Sequence, residues 1–261
     1  MHTLPIHLAS KLIRLVGNLL KLLAYPFHWV FPRLRFTIPE YSPAKIRRAA
    51  TSPIPRVIWQ TNYSNRCTLP IYLNYLFNRL LSLDCDYRYV STEAREDYLR
   101  NHAPADVYHA YCKLTDGAAQ ADLWRVTNLY QQGGIYLDID ATLVWPLRRL
   151  LRGVAPALYI KAQKNDEITN YFLATVPNNP HFFQVMQQIV HQINHYDPKR
   201  GVYGTTGPVV FNEVLAGQSI ECRYRTLVCI QGAFTNEHFQ YLDKPRGKWV
   251  HQNPEDLIKK T

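Results

Sequence analysis

Two spacings of hydrophobic residues recur along this chain. Across residues 4–31 the spacing is helical: Lys11, Arg14, Asn18 and Lys21 follow one another at steps of three, four and three, and leucine, isoleucine and valine cover the rest of the surface. Charges interrupt the apolar run too often for a spanning helix of roughly 20 apolar residues, and no small-residue cleavage site of the secretory type follows it. The pattern predicts a helix lying in a membrane interface, with Phe27, Trp29 and Phe31 as anchors after Pro26. Packing on its own domain is the alternative for the same helix. Pro26, Pro32, Pro39, Pro43, Pro53 and Pro55 then mark an extended linker.

Beyond residue 54 short β-branched runs alternate with helical periodicity. Residues 54–61 (IPRVIWQT) predict a first buried strand and 69–83 a helix. Residues 87–90 predict a second strand, followed by a helix over 92–101 with Thr92 as its cap. A strong helix is expected over 116–132, ended by Gly133-Gly134. Next comes a strand over 135–140 (IYLDID), with Tyr136, Asp138 and Asp140 on one face. A short strand at 157–161 and helices at 182–195 and 207–215 complete the pattern. Alternating strands and helices predict an α/β layered fold with a mainly parallel sheet. The organisation expected is a membrane-associating helix (1–35), a basic linker (36–53) and one folded domain (54–261).

Charge sharpens this picture. The 261 residues carry a net charge of +10, of which residues 1–56 contribute +8. A nucleic-acid enzyme spreads its basic groups over the folded body, so a membrane surface is the expected partner and nucleic acid is not. Five scattered cysteines without a C-x-x-C pair read as reduced thiols of a cytosol-facing protein rather than as a zinc site or a disulfide framework.

The chain has no G-x-G-x-x-G, Walker loop, G-x-S-x-G or H-E-x-x-H. What remains is Asp138-Ile139-Asp140. Two carboxylates on one side of a strand repel one another unless a cation lies between them, and hard divalent ions bind such oxygens together with phosphate oxygens. The carboxyl end of a strand in an open α/β sheet is where such ligands gather. A metal-dependent phosphodiesterase also uses paired aspartates, but it needs a histidine-rich second cluster that this sequence does not show.

The motif stands in AAQADLWRVTNLYQQGGIYLDID, residues 118–140, which resembles the sugar-binding region of the DXD-containing glycosyltransferases of family 32. Asp122, Arg125, Gly133, Gly134, Tyr136, Asp138 and Asp140 all fit that family's pattern. IPRVIWQT resembles its opening strand, although Trp59 stands where histidine is common; the stretch from Asn170-Tyr171-Phe172 to Pro180-His181 resembles its next core element, and Thr206-Gly207-Pro208 its T-G-P turn. The resemblance covers about residues 54–215. It implies a GT-A fold, a nucleotide-sugar donor (UDP- or GDP-hexose), Mn²⁺ or Mg²⁺, and transfer with retention to a glycan or lipid-linked acceptor in surface polysaccharide synthesis. Implied for the site are Asp138, Asp140 and Arg125 as catalytic residues, and Asp140 and Asp138 as metal ligands, with His238 a further ligand. Asp122, Arg125, Tyr136, Asp138, Gln60, Thr206 and Gly207 would bind the donor. The expected place is the cytoplasmic face of a membrane; a Golgi lumen with a single span is the alternative. A degenerate nucleotide-sugar-binding scaffold is the non-enzymatic reading.

Overall fold

The computed structural model describes residues 3–163 and 165–259. Helix α1 (Thr3–Val30) leads into two short strands, β1 (Phe36–Thr37) and β2 (Tyr41–Ser42). Strand β3 (Val57–Thr61), β4 (Arg66–Cys67), α2 (Leu69–Leu81) and β5 (Asp86–Val90) follow. Three helices come next, α3 (Thr92–His102), α4 (Ala105–Lys113) and α5 (Gly117–Gln132), then β6 (Gly134–Leu137) and β7 (Ala141–Leu143). After α6 (Leu147–Leu150) run β8 (Ala157–Lys161), β9 (Ile168–Thr175), α7 (Pro180–Asn194), α8 (Gly201–Thr205) and α9 (Pro208–Leu215). The chain closes with β10 (Cys222–Tyr224), β11 (Cys229–Gln231) and α10 (Glu237–Gln240).

The central sheet has the order β10-β8-β9-β6-β3-β5-β2. It is mixed rather than mainly parallel: β3 pairs in parallel with β5 and β6, and β10 with β8, whereas β2–β5, β6–β9 and β8–β9 are antiparallel. The turn between β8 and β9 is too short for a crossover, which needs a dozen or more residues, so β9 folds back as a hairpin and enters the sheet antiparallel beside β6. Successive side chains of β6 go to opposite faces. Ile135 and Leu137 join Ile58, Ile71 and Phe172 on the α2 side; Tyr136 joins Trp124, Phe182 and Phe211 beneath α5, α7 and α9. Every residue of β6 is therefore buried, and only its carboxyl end opens to solvent. The five cysteines are all free.

Helix α1 runs through Pro26 and packs on the domain, through a face the polar stripe did not reveal. Ile6, Ser10, Ile13, Gly17, Leu20 and Ala24 recur at steps of four and three and meet Phe77, Val144, Ile230 and Phe234. The approach is close enough that a Cβ on Gly17 would lie 2.2 Å from the Ala233 carbonyl oxygen. Lys21 donates to the Gly232 carbonyl at 2.9 Å, and the Leu69 amide donates to His28 Nε2 at 3.2 Å. The opposite side carries Leu8, Leu12, Leu15, Leu19 and Leu22, each more than half exposed.

Residues 36–53 are not an extended linker. β2 is an edge strand of the central sheet, β1 pairs with β4, and Ile38 is fully buried between them. Arg35 fixes the start of this stretch to Asp243 with two hydrogen bonds of 2.6 Å.

Candidate donor site

The carboxyl ends of β3 and β6 open into a cavity of about 460 Å³. Asp138 and Asp140 stand at its floor, but not on the pleat of a strand as the alternation predicts. β6 ends at Leu137, and the Asp138 carbonyl accepts from the Ala141 amide at 3.0 Å, so the D-x-D segment is a turn. The Asp138 amide donates to the Tyr171 carbonyl at 2.9 Å and the Gly232 amide to the Asp140 carbonyl at 3.0 Å. The turn is thus clamped from both sides, and both carboxylates reach the same cavity.

Helix α5 supplies two further charges. Asp116 caps it by accepting from the Ala118 and Ala119 amides, and Gly133 ends it at a φ of 63°. A Cβ on Gly133 would sit 2.8 Å from the Pro177 ring, and one on Gly134 2.7 Å from the Val57 side chain. The glycine pair therefore lets helix and strand meet at this spacing, which is a backbone role. Asp122 and Arg125, three apart on one helix face, form an ion pair of 3.1 Å. Arg125 also lies 3.2 Å from Asp138, donates to the Asn170 carbonyl at 2.9 Å and stacks over the Tyr136 ring at 4.2 Å. It is the bridge between the helix carboxylate and the turn carboxylate. Most of its N–H groups are spent on protein acceptors.

Asp122 is 6% exposed, and its two oxygens accept from Asn170 Nδ2 at 3.0 Å and Thr206 Oγ1 at 2.9 Å. Burial pushes its carboxyl up to about 7, against the pull of Arg125 and the Thr206 hydrogen bond. The Tyr136 hydroxyl donates to Asp138 at 2.7 Å, so this side chain both packs in the core and orients the motif. Asp140 accepts from Gln231 Nε2 at 3.2 Å, and its carboxyl is pushed up by burial first and by the Asp138 charge second. A carboxylate so disfavoured gains from a cation.

Among the described residues no group of three or more His, Cys, Asp and Glu side chains is placed to hold a metal. Two carboxylates facing one cavity nevertheless fit Mg²⁺ or Mn²⁺, which take few protein oxygens and fill the rest of their shell with phosphate and water. His238 is not among the cavity residues: its ring stacks on Tyr25 of α1 at 5.4 Å, which corrects its expected role as a ligand. Gln60 and Thr206 lie behind the site rather than on its wall. Gln60 donates to the Asp138 carbonyl at 3.0 Å and accepts from the Tyr87 hydroxyl at 2.8 Å, so it holds the turn from below. Gly207 does line the cavity.

Several cavity residues escaped the sequence reading: Arg95, Asn170 and Gln231, and the rim residues Tyr241, Lys244 and Lys248, which stand there with Trp249. Asn170 lies in the N-Y-F stretch that resembled a family core element, so a signal for it existed. Arg95 had none, being one of two arginines on a polar helix. The cap of α3 is Ser91, not Thr92, whose hydroxyl accepts from Arg95 instead.

Residues 70–156 match the model described as a glycosyltransferase sugar-binding region containing the DXD motif. Over that stretch, about a third of its length, the chain is similar to glycosyltransferase sugar-binding regions. Inositol phosphoceramide mannosyltransferase 3 of Schizosaccharomyces pombe is 22% identical over 215 residues, 80% of this chain. This chain spans 59% of the length of that relative. The solved PaToxG glycosyltransferase is similar with a TM-score of 0.53 at 16% identity, over 81% of this chain and 79% of its own. The α/β architecture around the sugar-binding region is accordingly GT-A, with the mixed sheet described above.

Proposed function

We propose that this protein is a metal-dependent, retaining glycosyltransferase that moves a hexose from a UDP- or GDP-sugar to a glycan or lipid-linked acceptor. The observation that carries this reading is the convergence of Asp138, Asp140, Asp122 and Arg125 on one cavity at the carboxyl end of β6. Asp140 and Asp138 would hold Mn²⁺ or Mg²⁺, which supplies charge neutralisation for the leaving nucleoside diphosphate. Arg125 keeps Asp138 and Asp122 apart and oriented, and adds positive potential beside the bond that breaks. Asp122, held by Asn170 and Thr206, presents a hydrogen-bond acceptor to a sugar hydroxyl. The S. pombe relative's name speaks for mannose as the hexose and a lipid headgroup as the acceptor.

The same reading places the protein peripherally on a membrane, as a component of surface-glycan assembly at the cytoplasmic face. Support comes from the leucine side of α1, flanked by exposed Lys11 and Arg14. Among the described residues no helix is long and apolar enough to cross a membrane. An interfacial helix binds by burying such an apolar face while its cations meet anionic headgroups.

The test is calorimetric binding of UDP and GDP, with and without Mn²⁺, to the wild type and to Asp140→Ala. The expected result is Mn²⁺-dependent binding of one nucleotide, lost in the variant. If the folded wild type binds neither, the transferase reading fails and a scaffold that has lost its donor takes its place.

A further inference from the structure

Arg95 is a buried cation in this cavity to which the transfer reading gives no task. It lies on α3 at 3% exposure. Its Nη1 donates to the Gly117 carbonyl at 3.2 Å and its Nη2 to the Thr92 hydroxyl at 3.0 Å, while its Nε meets no acceptor. Among the described residues no carboxylate forms an ion pair with it, in contrast to Arg125, which has two. Burying a guanidinium without an anion or a full set of acceptors costs stability, and sites that retain such a group commonly do so for a ligand. The pressure shows in its titration: burial pushes its pKa down, and Arg125 pushes the same way.

Thr61, Asn62, Tyr63, Thr92 and Thr115, all uncharged, line the cavity together with Arg95, and the Tyr63 ring stacks on Tyr241 at 6.1 Å with Lys244 Nζ 5.8 Å from its centroid. The carboxylates that suit a metal-bound diphosphate, Asp138 and Asp140, belong to the turn after β6, whereas Arg95 is tied to the amino ends of α3 and α5. Uncharged polar side chains with an aromatic ring beside them suit an uncharged heterocycle. We infer that Arg95 reads the nucleobase of the donor and admits bases that turn a carbonyl oxygen toward it. A guanidinium only donates, so uracil O4 or guanine O6 satisfies it. The exocyclic amine of cytosine or adenine sets donor against donor and leaves both unpaired. The inference rests on the nucleotide-sugar reading above.

The experiment is calorimetry in the presence of Mn²⁺ with UDP, GDP, CDP, ADP and inorganic pyrophosphate. The proteins are the wild type, Arg95→Gln, Arg95→Lys and Thr92→Val, each checked for a folded spectrum and melting transition. The wild type is expected to prefer the keto base over its amino counterpart, UDP over CDP or GDP over ADP. Arg95→Gln, which offers an acceptor as well as donors, should weaken the keto nucleotide about 10- to 100-fold and flatten that preference, with pyrophosphate affinity unchanged. Arg95→Lys, still donor-only, should keep the preference at reduced affinity. Thr92→Val keeps the buried charge but frees its orientation, so it serves if Arg95→Gln does not fold, and should weaken the keto nucleotide several-fold. Equal losses for pyrophosphate and nucleotide would overturn the inference and assign Arg95 to the phosphates. An unchanged base preference in Arg95→Gln would overturn it outright. Failure of the wild type to bind any nucleoside diphosphate instead strikes the transfer reading itself, so the two failures are distinguishable.

Discussion

Replacing Arg125 by methionine should destabilise the protein in a pH-dependent way. The side chain is 5% exposed and touches two carboxylates, at 3.1 Å and 3.2 Å. Removing one partner of a buried ion pair costs about 3–5 kcal/mol, because the remaining charge stays buried without compensation. Asp122 fixes the sign. Its carboxyl titrates at about 7 in the fold against 3.8 for the unperturbed group. The folded state therefore binds this proton more tightly, and the associated stability is complete below about pH 4 and lost as pH rises toward 7. At about 1.36 kcal/mol per pKa unit, that loss is on the order of 4 kcal/mol with Arg125 in place. Without Arg125 the carboxyl rises further and the loss extends above pH 7. Urea denaturation in EDTA, followed by circular dichroism, should show Arg125→Met destabilised by about 3–5 kcal/mol at pH 8.5 and by markedly less at pH 5.5, where Asp122 is protonated in both proteins. The double variant Asp122→Asn/Arg125→Met should recover part of the loss at pH 8.5. Equal destabilisation at both pH values, or less than about 1 kcal/mol at pH 8.5, would refute the account of Arg125 as the bridge.

The remaining predictions concern helix α1. Gly17→Ala places a Cβ against the Ala233 carbonyl, an overpacking worth about 1–3 kcal/mol, so calorimetry should show a melting temperature lower by several degrees; an unchanged value would mean the helix does not sit this close. Leu12→Asp with Leu19→Asp, both at exposed positions, should leave the melting temperature within a degree or two of wild type while abolishing flotation with anionic vesicles. Flotation of that variant like the wild type would remove the membrane role of this face.

The sequence alone determined much of the sugar-binding region. The α5 periodicity and its glycine end are legible because helix caps, helical faces and glycine turns are set by residues a few positions apart, whereas Asp122, Arg125, Tyr136, Asp138 and Asp140 were marked as site residues by their resemblance to a family pattern. The α/β alternation is legible for the same reason. The tertiary structure alone decided which way β9 runs, since strand direction depends on the length of a connection and on a partner more than thirty residues away. It also decided the face of α1. Ser10, Gly17 and Ala24 carry little hydrophobic signal, yet their smallness admits the close approach, and the larger leucines are left outside. His238 and Gln60 looked like site residues and stand elsewhere, one stacked on Tyr25 and one beneath the Asp138 turn. Arg95 drew no reading from the sequence and stands in the cavity. A side chain's role depends on which distant groups share its cavity, and proximity between distant residues is what folding, rather than local pattern, creates.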